Sequence, residues 1–367
     1  MPHSTQPSQP SQPSLSLLDR FLPVWILAAM AAGLFIGSTF PGVKEVLDSF
    51  EVGNVSIPIA IGLLIMMFPP LAKVRFDQTK KIATDRRLMA VSLTLNWLVG
   101  PLLMFTLAWI FLADSPALRT GLIIVGLARC IAMVLIWSDL SCADREATAV
   151  LVALNSLFQI AMFGFLGWFY LEILPSWLGL DTASADFTLA SILVSVGVFL
   201  GIPLLTAVLC RVILERTRGR DWYTNTFLPA VSPLALIGLL FTVVLLFTLQ
   251  GDAITAAPWT VAKVAIPLFL YFVIMFFFAL GVSRASGMNY AQAASVSFTA
   301  AGNNFELAIA VSIGTFGASS AQALAGTIGP MVEVPVLVGL VYVMRWLGPK
   351  LFAGDPTLPQ QSLQSLQ

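Results

Sequence analysis

The sequence predicts an all-α integral membrane protein of ten helices. Three observations carry that reading. Apolar segments long enough to cross a bilayer recur along the chain. Charged residues make up only 10% of the 367 residues, against about 25% in an average soluble domain. Two apolar segments, one in each half, are interrupted by polar or ionisable residues. Hydrophobic residues reach 58% and the mean hydropathy is +0.89.

The elements follow in order. Residues 1–19, rich in Ser, Gln and Pro, read as a disordered tail. They lack the basic and apolar regions of a signal peptide. A transmembrane helix needs about 20 mostly apolar residues. Eight clear candidates are 21–40, 55–71, 88–112, 147–171, 187–210, 227–247, 264–282 and 323–347. Two more, 117–137 and 291–315, carry the polar interruptions. The connections are too short for a separate domain, so the spans form one bundle, followed by a tail over 353–367.

Orientation follows from Lys and Arg in short loops. The loop after span 2 holds Lys73, Arg75, Lys80, Lys81, Arg86 and Arg87, and the loop after span 6 holds Arg211, Arg216, Arg218 and Arg220. The loop after span 5 holds Glu172, Asp181 and Asp186 and no basic residue. Basic loops and both termini are therefore expected in the cytoplasm, with the chain multi-pass in the cell (inner) membrane.

The two halves, 20–186 and 187–352, resemble one another. Val55-Ser-Ile-Pro-Ile-Ala-Ile-Gly-Leu-Leu64 is similar to Val231-Ser-Pro-Leu-Ala-Leu-Ile-Gly-Leu-Leu240. A single constant offset takes Cys130 to Asn304 and Gln159 to Glu333. Five spans per repeat is odd, so the second half enters the membrane inverted, the layout of many secondary transporters. Gly302-Asn303-Asn304 is a poor helix interior. Span 9 should therefore break there, and span 4 by symmetry near Arg129-Cys130. Breaks at membrane depth must be satisfied inside the protein. Crossing at the midplane, the two broken helices gather Arg129, Cys130, Asn303, Asn304 and Glu306.

Several chemistries are excluded. The only histidine, His3, lies in the tail, so neither a histidine-ligated metal nor a histidine base is expected, and no cofactor is called for. Zero formal net charge argues against nucleic acid as a partner. The three cysteines form no zinc spacing. Cys142 and Cys210 read as small buried residues. Cys130 lies well inside an apolar stretch, where its thiol suits soft species or simply packs. Glu306 has no basic residue one turn away. A buried carboxyl favours its protonated form and can load and release protons; the bland alternative is an ion pair with Arg129. Glu333, beside Val334-Pro335, is either a second proton site or the counter-ion of Arg129. Asn155 and Gln159 are one turn apart in span 5 and either hydrogen-bond across helices or line the same cavity. Asn96 reads as interhelical glue, and Lys263 and Arg284 as snorkelling helix-end cations.

These residues carry a family resemblance. Gly126-Leu-Ala-Arg-Cys-Ile-Ala-Met-Val134, Val152-Ala-Leu-Asn-Ser-Leu-Phe-Gln159, Phe298-Thr-Ala-Ala-Gly-Asn-Asn-Phe-Glu-Leu-Ala-Ile-Ala-Val311 and Gly329-Pro-Met-Val-Glu-Val-Pro-Val336 match one family. The chain resembles, from about Arg20 to about Phe352, the arsenite efflux permeases of the arsenical-resistance-3 family. That family lies in the bile acid/arsenite/riboflavin transporter superfamily. The resemblance implies two inverted five-helix repeats, with a panel domain and a core domain that contains the crossed helices. It implies export of trivalent arsenic, in some members antimony, in exchange for protons. The family's essential cysteine falls on Cys130, as arsenic ligand, and its essential glutamate on Glu306. The expected partners are arsenite or antimonite, protons and the lipid bilayer, with monomer and homo-oligomer both open. A sodium-coupled organic anion or bile acid symporter of the same fold is the alternative. Its sodium cage would draw on Asn303, Asn304, Glu306 and Gln159. A membrane enzyme such as a lipid transferase is disfavoured, since there is no aspartate-rich metal motif and no membrane histidine.

Overall fold

A computed structural model describes residues 21–40, 42–52, 55–73, 85–131, 133–181, 189–256 and 258–359. The N-terminal tail, the end of the C-terminal tail, Arg75, Lys80, Lys81 and Asp186 lie outside the described residues. Among the described residues the chain is helical apart from one small hairpin. α1 is Leu22–Thr39 and α2 is Gly42–Ser49. The hairpin follows, β1 Glu51–Val52 antiparallel to β2 Val55–Ser56. It is a minor departure from the all-α expectation, confined to the entrance of α3, Ile57–Lys73. Then come α4 Arg86–Phe111, α5 Pro116–Leu127, α6 Met133–Leu140 and α7 Arg145–Trp177. α8 covers 189–218 and α9 covers 220–256. The last are α10 Pro258–Ala285, α11 Tyr290–Ala301, α12 Phe305–Phe316 and α13 Ala321–Leu351.

Among the described residues six helices, α4, α7, α8, α9, α10 and α13, are long and apolar enough to cross a membrane. Four shorter ones, α1, α3, α5 and α12, are also apolar. Predicted spans 4 and 9 are each two short helices placed end to end, α5 with α6 and α11 with α12. Several helix starts are capped by Asp or Asn side chains, residue types favoured at that position. Asp85 accepts from the Leu88 amide at 3.0 Å and Asp144 from the Ala147 amide at 3.0 Å. Asn289 and Gln292 form a capping box on α11. Gly219, at φ +88°, ends α8 after Arg216 and Arg218.

Four long helices contain a π-turn, at Leu95–Val99, Phe169–Ile173, 197–201 and Tyr223–Phe227. Each is followed shortly by a proline: Pro101, Pro175, Pro203 and Pro229. A proline lacks an amide hydrogen and crowds the carbonyl four residues before it. A widened turn ahead of it relieves that crowding and lets the helix continue.

The helices pack in two groups that mix the two halves of the sequence. α9 lies along α1 and α3, and α8 packs on α3. The approach of α1 to α9 is close because Gly33 and Gly37 offer no side chain; a Cβ on Gly37 would sit 2.5 Å from the Thr248 carbonyl oxygen. Thr248 Oγ1 crosses that seam to donate to the Gly33 carbonyl at 3.3 Å. The second group joins α10 to α11 and α13, α12 to α13, and α5 to α4 and α13. α8 meets the second group through α7 and α12. Gln250 of α9 also donates to the Ala318 carbonyl, beyond α12, at 2.8 Å.

Candidate functional site

The two broken helices meet backbone to backbone. α5 ends when Ala128 turns extended (φ −86°, ψ 120°). α11 ends when Gly302 does the same (φ −72°, ψ 140°). Arg129 and Asn303 then form an isolated antiparallel bridge. The Cys130 amide donates to the Gly302 carbonyl at 3.3 Å, and the Asn304 amide to the Ala128 carbonyl at 3.0 Å. Backbone groups freed by the breaks thus satisfy one another, as apolar surroundings require. Neighbouring helices supply the flanking acceptors. Gln159 Oε1 of α7 accepts from the Arg129 amide, and Glu333 Oε1 of α13 accepts from the Asn303 amide at 3.3 Å. Each bond has a counterpart under the offset that relates the two halves. Cys130 to Gly302 maps onto Asn304 to Ala128, and Arg129 to Gln159 maps onto Asn303 to Glu333.

Beyond the bridge the second half-helices begin. Cys130 is 3% exposed, and its Sγ accepts from the Val134 amide in the first turn of α6 at 3.3 Å. Asn304 caps α12, its Oδ1 accepting from the Leu307 amide at 3.0 Å. Glu306 is half-buried in the first turn of α12, whereas Glu333 is buried. A carboxyl in a first turn faces the positive end of the helix dipole. Cys130 and the Glu333 carboxyl flank the same point of the backbone, since a Cβ on Gly302 would lie 3.6 Å from Glu333 Oε1. Gly302 lets the two strands close up: a Cβ there would lie 3.1 Å from Cys130 Cβ. Gln159 Nε2, both polar atoms of the Asn303 amide, and Asn304 Nδ2 are buried without a hydrogen-bond partner. The crossover therefore gathers a soft thiol, two acids and uncommitted amide groups around two helix N-termini. Such a set can hold a small, uncharged, polyhydroxylated or thiophilic solute and exchange a proton beside it.

Arg129 forms neither of the ion pairs left open for it. It has no carboxylate within ion-pair distance among the described residues, so it is the counter-ion of neither Glu306 nor Glu333. Its guanidinium is fully buried. Nη1 donates to Tyr271 Oη at 2.7 Å and to the Ala300 carbonyl at 3.5 Å, and Nη2 donates to the Gly126 carbonyl. Both carbonyls lie in the last turn of a half-helix, where the dipole is negative, so the charge is met without an acid.

The remaining expected residues separate. Gln159 is at the crossover. Asn155 is spent elsewhere, its Oδ1 accepting from Trp97 Nε1 at 3.1 Å and its Nδ2 donating to Asn96 Oδ1 at 3.4 Å. It fastens α7 to α4, as Asn96 was expected to do. Lys263, near the start of α10, pairs with Asp114 at 2.5 Å, and that hydrogen bond holds the Asp114 carboxyl below its ordinary value. Sequence reasoning missed Tyr271 and Gly100. The signal for Tyr271 was present: it is the only side chain with a hydroxyl between Thr260 and Ser283, and a buried Tyr hydroxyl requires a partner.

Comparison with known proteins completes the description. Residues 60–257 match the Sodium Bile acid symporter family. The chain is 66% identical over 367 residues to the Arsenical-resistance protein Acr3 of Corynebacterium glutamicum, covering 100% of this chain and 99% of that protein. It is 32% identical over 339 residues to the Arsenical-resistance protein Acr3 of Alkaliphilus metalliredigens, covering 90% and 92%. It is also 32% identical over 353 residues to an uncharacterized transporter of Synechocystis, covering 90% and 89%.

Proposed function

The chain belongs to the sodium bile acid symporter family and, within it, to the Acr3 arsenical-resistance proteins, and from that membership we propose that it exports trivalent arsenic from the cytoplasm in exchange for protons. The observation that carries the proposal is the crossover, where a buried thiol and a half-buried carboxyl share two facing half-helix N-termini. We read α1, α3, α4, α5 with α6, α7, α8, α9, α10, α11 with α12, and α13 as ten transmembrane segments in two inverted repeats. The paired hydrogen bonds of the crossover, related by one offset, support that reading. The basic loops support a reading with both termini in the cytoplasm, in a protein of the cell membrane.

Arsenite at neutral pH is the uncharged trihydroxide, so the membrane potential alone does nothing to move it. One proton entering per solute leaving adds about 2.3 kcal/mol per 100 mV. In the proposed cycle Glu306 holds either a proton or the solute complex. Arsenite enters from the cytoplasm and meets Cys130, whose sulfur is the soft donor that arsenic favours. Direct bonding would exchange one As–OH bond for As–S and release water, the thiol proton leaving with the hydroxide. The free amides of Asn303 and Asn304 bind the arsenic hydroxyls. Glu306 releases its proton inward, the helix group holding the crossover moves against α1, α3, α8 and α9, and an external proton on Glu306 displaces the solute. Glu333 holds the crossover through the Asn303 amide and stands as a second proton site.

The test is arsenite accumulation by everted membrane vesicles under an imposed pH gradient, with and without sodium, for wild type and Glu306→Gln. The expected result is accumulation that needs the pH gradient, ignores sodium and is lost in the variant. Strict dependence on sodium, or no arsenite movement, would overturn the proposal in favour of the organic anion symporter. Antimonite in the same assay defines the substrate range.

A further inference from the structure

A fully buried arginine with no carboxylate partner is costly unless other groups replace its water. At Arg129 three groups do so for Nη1 and Nη2, while Nε has no partner among the described residues. The Gly126 carbonyl belongs to the last turn of α5, and the Ala300 carbonyl to the last turn of α11. Tyr271 of α10, itself fully buried, accepts from Nη1 at 2.7 Å and donates to the same Ala300 carbonyl at 3.4 Å. Two helix C-termini brought together repel through their partial negative charges, and a cation between them turns that repulsion into attraction. Room for the guanidinium comes from α4. Gly100 directly follows the π-turn at Leu95–Val99, and a Cβ on it would lie 2.8 Å from Arg129 Nη1 and 3.0 Å from Tyr271 Oη. Asn303, the counterpart of Arg129 in the second half, carries no charge, so a single cation serves both broken helices. The guanidinium's hydrogen bonds go to the C-terminal side of the crossover, whereas Cys130 Sγ and Asn304 Oδ1 bind the starts of α6 and α12.

We propose that Arg129 and Tyr271 form a positioning pair, a fixed internal cation that ties together the C-termini of both half-helices and thereby holds Cys130 and Glu306 in place without touching the solute. Only its consequence for transport rests on the arsenite reading. Lysine carries its three donors on one nitrogen at the end of a flexible stem and lacks the planar fork by which Nη1 and Nη2 reach separate helix ends.

The test uses the full chain in membrane vesicles with Cys142→Ser and Cys210→Ser, which leaves Cys130 as the single thiol. Arg129→Lys, Arg129→Met, Tyr271→Phe and Gly100→Ala are compared in two assays. The first is the rate at which N-ethylmaleimide alkylates Cys130. The second is arsenite uptake, resolved into KM and Vmax. Loss of the brace should speed alkylation about tenfold in Arg129→Met, the order expected for one charge-assisted hydrogen bond. Smaller increases are expected in Tyr271→Phe and Gly100→Ala, with Arg129→Lys between Met and wild type. Vmax should fall with KM nearly unchanged. Unchanged alkylation in Tyr271→Phe and Gly100→Ala would overturn the proposal. So would an increase in KM at constant Vmax in Arg129→Met, which would make Arg129 a solute ligand. If Arg129→Met does not reach the membrane, Tyr271→Phe and Gly100→Ala, which keep Arg129 itself, decide the matter. If wild type moves no arsenite, the function reading fails while the alkylation rates still judge the brace.

Discussion

Glu333 and Gln159 occupy matching places and do matching work. Each presents one oxygen to a backbone amide in the crossing strands, Glu333 to Asn303 at 3.3 Å and Gln159 to Arg129. The acceptor, and not the charge, maintains the backbone there. Glu333→Gln should therefore keep the thermal stability of the detergent-solubilised protein. Glu333→Leu leaves the Asn303 amide unsatisfied and should cost about 1–3 kcal/mol, read as a lower unfolding temperature. If Glu333→Gln keeps stability yet uncouples arsenite uptake from the pH gradient, the residue also carries protons. Cys130 is a different case. Cys130→Ser preserves an acceptor for the Val134 amide but replaces a soft donor with a hard one. It should fold like wild type and lose arsenite accumulation; full accumulation would remove the thiol from the mechanism.

At the scale of elements, the half-helices are set by close packing around their broken ends. Gly329 of α13 lies against the ring of Phe305, the first residue of α12, and leaves no space for a Cβ. Gly329→Ala must displace α12 at the turn that carries Glu306. Overpacking of this kind costs about 1–3 kcal/mol. The variant should show a lower unfolding temperature together with reduced uptake. Unchanged values in both would mean that Phe305 can rotate aside freely. The π-turns follow the same logic at lower cost. Each widens a long helix just before its proline, and the one at Leu95–Val99 also sets Gly100 against the Arg129 guanidinium.

At the scale of the molecule, the two helix groups differ in how they are held. α1 and α9 meet through glycine with almost no intervening side chain. Lipid offers no hydrophobic drive between helices, and such seams depend on close packing. Gly37→Leu would force α1 away from the Thr248 backbone. It should lower the yield and unfolding temperature of the solubilised protein while leaving the hydrogen bonds of the crossover intact, which N-ethylmaleimide reactivity at Cys130 would report. Between the groups, the Gln250 bond to the Ala318 carbonyl at 2.8 Å is a contact that relative movement of the groups must break.

Composition and periodicity were enough to identify a helical membrane protein, because apolar runs near span length have few other uses. They were enough for the break at Gly302-Asn303-Asn304, where local propensity and tertiary structure agree. The break at Ala128 was legible only through the internal repeat, since no Gly or Pro stands beside Arg129-Cys130; it exists because Gly302 and Asn304 supply the hydrogen bonds that a continuous helix would have made internally. Nor could the sequence alone choose a partner for Arg129. A charge was expected to find an opposite charge, and Glu306 and Glu333 were the acids nearby. Tertiary structure answered with two half-helix C-termini and a tyrosine from α10, because partial charges on backbone carbonyls become visible only when distant chain ends are brought together. The sequence by itself determined which residues are polar in an apolar environment; only the fold decided which of them meet.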